Sequence, residues 1–181
     1  MGRRKPQPSR VALVTGGGSG IGEATCQHLA EHGHRVAVVD LDGDAAERVA
    51  KAVEADGGNA SAVRTDVTDR GAVDAAFAAT VASFGPVEIL VTSAGICPFT
   101  PFADITLDEW NLAIDVNLTG TFHCCQAALP AMVEAGWGRL VLISSSSGQR
   151  GAVRAPHYAA AKGGVITLAR WRWPMRPTAS R

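Results

Sequence analysis

The sequence predicts an α/β fold, a doubly wound parallel sheet with helices on both faces. Three observations predict it. Short apolar runs alternate with helical patterns from residue 10 to about residue 170. The runs are apolar throughout, as strands covered on both faces are. A glycine cluster, TGGGSGIG at 15–22, separates the first run from the first helical pattern. Crossovers between parallel strands are right-handed in nearly every protein, so strict alternation gives a Rossmann-type sheet.

Each element has a local reason. RVALVT (10–15) is short, β-branched and closed by glycines, which gives a buried strand. A helix follows from Ile21 to about His32 and stops at Gly33. HRVAVVD (34–40) is the second strand, and the alanine-rich stretch 43–56 is the helix after it. ASAVRTD (60–66) is the third strand. Asp69 caps a helix that runs to Phe84 and ends at Gly-Pro. VEILVTSAG (87–95) is the fourth strand, followed by a long helical stretch over about 106–134 with a break near its start. GRLVLISSSSG (138–148) is the fifth strand and its loop, and a last helix spans about 156–170. Residues 1–9 read as a disordered tail, 10–170 as one domain, and 171–181 as an irregular tail.

Composition narrows the function. Apolar residues make up 46% and charged residues 19%, with a net charge of zero, so nothing points to nucleic acid or an anionic membrane. No run approaches the roughly 20 apolar residues of a membrane span. Cys26, Cys97, Cys124 and Cys125 lack metal-ligand spacing, and adjacent cysteines make a poor disulfide. The expectation is a cytoplasmic protein with reduced thiols and no metal site.

The glycine cluster can cradle phosphates. Gly16, Gly20 and Gly22 allow a tight turn and close backbone approach, and the helix that follows offers free N–H groups and a positive dipole end. Such a turn also forms without a ligand. Asp40 closes the second strand, where a carboxylate can accept from the hydroxyls of an adenosine ribose and repel a 2′-phosphate. Leu41 and Asp42 follow it with no arginine, which favours NAD over NADP; a surface or capping role for Asp40 is the alternative. Asp66, after the third strand, can bond an adenine amino group, with Val67 beside the ring, or simply make a turn.

Tyr158 is the sole tyrosine, and Lys162 follows it at i+4 on the same helix face. A free phenol, with an ordinary pKa of about 10, is a poor base at pH 7, and a neighbouring ammonium favours the phenolate. Ser145 lies at the carboxyl end of the fifth strand, where ligands of such sheets bind. Its hydroxyl can bond a reacting oxygen. Ser144, Ser146 and Ser147 compete for that role.

TGGGSGIG, Asp66-Val67, SAG at 93–95, Asn117 in DVNLTG, ISSSSG and YAAAK occur in the order seen in short-chain dehydrogenases/reductases. Over about residues 10–170 the chain resembles that family, and within it the bacterial 3-oxoacyl-carrier-protein reductases and NAD-dependent alcohol dehydrogenases. The resemblance implies an NAD(P)-dependent oxidoreductase interconverting a secondary alcohol and a ketone. It makes Tyr158 the general acid/base and has Lys162 assist it and hold the nicotinamide ribose. Ser145 orients the carbonyl, and Asn117 kinks its helix in support of a water-mediated proton relay. It places NAD against Gly16, Ser19, Gly20, Ile21, Gly22, Asp40, Leu41, Asp66, Val67, Ala94, Gly95, Tyr158 and Lys162. It implies tetramers in which the helices carrying Asn117 and Tyr158 build one interface; with the other interface's terminal helix and strand missing here, the expectation is a homodimer through those helices.

Two departures stand out. Ser93 replaces the family's asparagine. Family members also continue into a sixth strand, a substrate loop and a seventh strand, whereas here the pattern stops near Arg170 and WRWPMRPTASR follows. The expectation is a truncated chain lacking the usual last two strands, with an apolar fifth strand left at an edge. Its alternative function is that of a catalytically impaired dinucleotide-binding remnant. A sugar-nucleotide epimerase or dehydratase is a third reading, disfavoured by the lack of a further substrate domain.

Overall fold

The computed structural model describes residues 8–170. The tail expected over 171–181, and all of that over 1–9 except Pro8 and Ser9, lie outside the described residues. Ser9 is held, because its Oγ donates to Gly33 O at 2.7 Å.

Five strands form one parallel sheet: β1 (Val11–Thr15), β2 (Arg35–Asp40), β3 (Asn59–Arg64), β4 (Ile89–Thr92) and β5 (Arg139–Leu142). Their order is β3-β2-β1-β4-β5. The chain moves outward from β1 to β3 and then returns to place β4 on the other side of β1. The helices are α1 (Gly20–Glu31), α2 (Gly43–Ala55), α3 (Arg70–Phe84), α4 (Leu107–Ile114), α5 (Gly120–Glu134), α6 (Ser147–Arg150) and α7 (Pro156–Leu168), with a 3₁₀ turn at Phe102–Asp104.

The period of two along β1 divides the core. Val11 and Leu13 pack with Val73 and Phe77 of α3 and Cys124 and Ala128 of α5. Ala12 and Val14 pack with Cys26 of α1 and Ala46, Val49 and Val53 of α2. Both faces are apolar because both are covered. A fully buried valine or leucine is worth about 1.5–3 kcal/mol, so these central strands hold the sheet.

Three boundaries differ from the sequence expectation. The fourth strand stops at Thr92, where its register partner in β1 is Thr15. Beyond that pair β1 turns away at Gly16, and the pairing ends with Ser93 N donating to Thr15 O at 3.1 Å. The stretch expected as one helix broken near its start is two helices joined by a five-residue π turn, Asp115–Thr119. The loop after β5 contains the short helix α6, which the sequence reading did not anticipate.

β5 pairs with β4 and, among the described residues, has no neighbour on its other side. Leu140 and Val141 are 38% and 45% exposed. Phe122, Leu129, Leu140, Leu142 and Leu168 line an apolar cavity of about 420 Å³ along this flank. The exposed fifth strand matches the expectation from sequence. No helix among the described residues is long and apolar enough to cross a membrane.

Candidate functional site

The strand order reverses between β1 and β4, and the loops leaving their carboxyl ends touch there. Gly16 has φ +66°, a left-handed conformation that suits glycine, and a Cβ on it would lie 2.6 Å from Ala94 N. A Cβ at Gly22 would lie 1.9 Å from Gly16 O, so the start of α1 packs directly on the loop carbonyl. At Gly20 a Cβ would meet nothing within 4 Å, which leaves open space before the backbone. The first turn of any helix has N–H groups without intrahelical acceptors. This cradle therefore fits the phosphates of a dinucleotide.

A cleft of about 430 Å³ opens at this point. Gly16, Ser19, Gly20, Ile21, Asp40, Leu41, Asp66, Val67, Ala94 and Gly95 line it, as do Thr65, Ser93, Ile96 and Val116. The last four were outside the site read from sequence, although Thr65 and Ile96 directly flank motifs that were in it. Gly22 is buried beneath the cradle.

Asp40 stands half-buried at the end of β2. Its Oδ2 accepts from Gly18 N at 2.8 Å and its Oδ1 from Asp42 N at 3.0 Å. A carboxylate has about four acceptor positions, so capacity remains. Tertiary structure brings two arginines to this corner that local sequence did not show. Arg48 of α2 donates to Gly18 O at 2.7 Å and pairs with both carboxylate oxygens of Glu23. Arg64, the last residue of β3, donates from Nε to Leu41 O at 3.2 Å. Asp66 Oδ1 accepts from the N–H and hydroxyl of Thr68, the turn role that its position alone suggested.

The second half of the site lies beyond β4 and β5. Lys162 on α7 is 4% exposed, and its Nζ donates to Ile143 O at 2.9 Å. Burial lowers its pKa from the ordinary lysine value. The same Nζ lies 5.8 Å from the centroid of the Tyr158 ring. A Cβ on Gly95 would lie 2.7 Å from Asn117 Oδ1 and 3.5 Å from Lys162 Nζ, so Gly95 brings the cleft up to both groups.

Asn117 sits inside the π turn and is fully buried. Its amide donates to Ala113 O and Ile96 O, both at 2.9 Å, which ties the helix to the loop after β4. Its Oδ1 is buried and has no hydrogen-bond partner among the described residues. Buried polar atoms nearly always have a partner, often an ordered water.

The serines separate by geometry. Ser144 Oγ donates to Lys162 O at 2.8 Å and so fastens β5 to α7. Ser145 Oγ accepts from Ser147 N at 3.1 Å, which leaves its O–H to donate elsewhere. His157, the residue before Tyr158, is fully buried, with Nε2 3.5 Å from Glu109 Oε1. It packs where α4 meets α7, turned into the protein.

The profile of the family described as short chain dehydrogenase matches residues 10–172. D-threitol dehydrogenase of Mycolicibacterium smegmatis is 38% identical over 161 residues, covering 89% of this chain and 62% of that protein. The 3-oxoacyl-(acyl-carrier-protein) reductase MabA of Mycobacterium tuberculosis is 41% identical over 169 residues, covering 93% of this chain and 64% of its own. An actinorhodin polyketide ketoreductase crystallised with NADPH superposes with a TM-score of 0.86 at 36% identity, over 88% of this chain and 62% of that one. The chain thus spans less than two thirds of the length of these relatives. With the profile matched along nearly its whole length, a cradle at the β1/β4 reversal and a sheet that superposes on a ketoreductase, this chain belongs to the short chain dehydrogenase family.

Proposed function

We propose that the chain is an oxidoreductase that interconverts a secondary alcohol and a ketone with a nicotinamide dinucleotide held in the β1/β4 cleft. The observation that carries this reading is Lys162. A buried ammonium held by one backbone carbonyl, with no carboxylate partner among the described residues, is costly. Its place beside the Tyr158 ring and behind Gly95 gives that cost a purpose.

Within this reading the glycine cradle and the first turn of α1 bind the phosphates. Asp40 accepts from the adenosine ribose hydroxyls, which favours NAD over NADP. Glu23 already compensates the charge of Arg48, which weakens that arginine as a receiver for a 2′-phosphate. The cofactor supplies the hydride-transfer chemistry. Tyr158 gives or takes the proton at the substrate oxygen, and Ser145 donates a hydrogen bond to that oxygen. Lys162 places positive charge where it can stabilise the phenol oxygen as the proton leaves. Asn117 Oδ1 offers a water an anchoring acceptor beside Lys162 Nζ. In this reading exposed Phe99 and Val153, at 71% and 95%, offer apolar contacts to a small alcohol or ketone. Assembly as a homodimer through α4, α5 and α7 would cover exposed Trp110, Leu112 and Phe122.

The test is nucleotide binding by calorimetry together with NADH formation over a panel of secondary alcohols. Tyr158→Phe should lower turnover by roughly 10²–10⁴-fold. NAD affinity should stay within severalfold, because the phenol hydroxyl acts on the substrate oxygen. Unchanged turnover in that variant would overturn the assignment. The chain's span of less than two thirds of its relatives' length favours a second reading, a dinucleotide-binding module without turnover. Tight NAD binding with no product across the panel would select it.

A further inference from the structure

We propose that the last turn of α1 is a binding site for a divalent transition-metal cation of the zinc, nickel and copper class, with His28, Glu31 and His32 as ligands. The run H-x-x-E-H puts these side chains at i, i+3 and i+4, which share one helix face. One ligand atom from each lies within 4.8 Å of the other two. Metal–ligand bonds of about 2.0–2.2 Å bring donors to within about 4 Å of each other, so small side-chain adjustments close the set.

The local bonding favours ligation over idle exposure. His32 Nδ1 lies 2.8 Å from His28 O. Donation from that nitrogen fixes the tautomer and leaves the Nε2 lone pair free, the outer arrangement that metal-bound histidines use. His28 Nδ1 is 3.6 Å from Glu31 Oε2, too long for a hydrogen bond but close enough to share an ion. The two imidazole centroids are 4.3 Å apart. The negative end of the α1 dipole favours a cation there, and the last turn carries no lysine or arginine to compete. Two imidazoles and one carboxylate match zinc, nickel or copper better than magnesium or calcium, which prefer oxygen. Water completes the coordination, since His28 and Glu31 are 71% and 70% exposed.

The cradle lies at the other end of α1, a helix of twelve residues with a rise of about 1.5 Å each. An ion at the far end is therefore remote from the dinucleotide cleft. It would clamp the turn through which Gly33 leads into β2, where Gly33 O already holds Ser9.

The experiment titrates the chelator-treated full chain, carrying Cys97→Ser to remove the exposed thiol, with zinc and with nickel salts. Calorimetry should show one saturable site, and unfolding should shift to higher temperature with metal concentration, with no shift from magnesium. His28→Ala and His32→Ala should each weaken binding by about tenfold or more. Both positions are exposed, so unchanged unfolding of these variants without metal shows that they remain folded. No saturable binding, or equal affinity in the His28→Ala, His32→Ala double variant, would overturn the site.

Discussion

Gly95 has no room for a methyl group. The added carbon would stand 2.7 Å from Asn117 Oδ1, which is itself buried and fixed by two hydrogen bonds from its amide. Gly95→Ala should destabilise the fold by about 1–3 kcal/mol, the usual range for overpacking, and weaken NAD binding with it. Denaturant unfolding and calorimetry on the same variant measure both. The cysteines give a second residue-scale expectation. Burial pushes Cys26 and Cys124 up to about 12 and Cys125 up to about 11. Cys97 is exposed, and the Lys162 charge opposes the rise that partial burial causes there. Of the four thiols, one should react rapidly with a disulfide reagent at pH 8, and Cys97→Ser should abolish that fast phase. A fast phase surviving in Cys97→Ser would show the buried thiols to be reachable. At this scale the sequence named Asn117 and the i+4 pair Tyr158 and Lys162, but not how Asn117 and Gly95 meet that pair. The π turn sets Asn117 Oδ1 beside Gly95, and the bond to Ile143 O ties Lys162 Nζ to the residue after β5.

Helix starts were legible where one side chain satisfies the backbone. Asp69 accepts from Gly71 N at 2.7 Å and Ala72 N at 3.2 Å, the role its sequence position suggested. Asp69→Ala should cost about 1 kcal/mol of stability, visible as a lower unfolding midpoint with the slope unchanged. A kink at Asn117 was implied only by the family resemblance, and the run itself shows no sign of the π turn. The run DVNLT has no breaker, and its distortion comes from Asn117 bonding across to Ile96 O, a contact that exists only once β4 is in place. The short helix α6 carries no sequence signal for a related reason. Gly148 lies against α7, where a Cβ would sit 2.6 Å from the carbonyl carbon of Lys162, and four residues carry no period of their own.

For the molecule as a whole, the asymmetry of the sheet is the governing feature. β1 is enclosed, whereas β5 presents Leu140 and Val141 on a flank without a strand partner among the described residues. Unpaired apolar edges promote association. Val141→Lys should reduce concentration-dependent self-association in light scattering and change unfolding free energy by no more than about 0.5 kcal/mol. Undiminished association would place the sticky surface elsewhere. The sequence by itself determined the alternation of strands and helices, the glycine cradle and the acid at the end of β2. Those features rest on local patterning and on backbone sterics that act within a few residues. Tertiary structure alone decided that Arg48 and Arg64 gather around the Asp40 corner, that Ser144 rather than Ser145 fastens to α7, and that His157 turns inward. These outcomes depend on the packing of elements distant in the chain, and residue order does not carry that geometry.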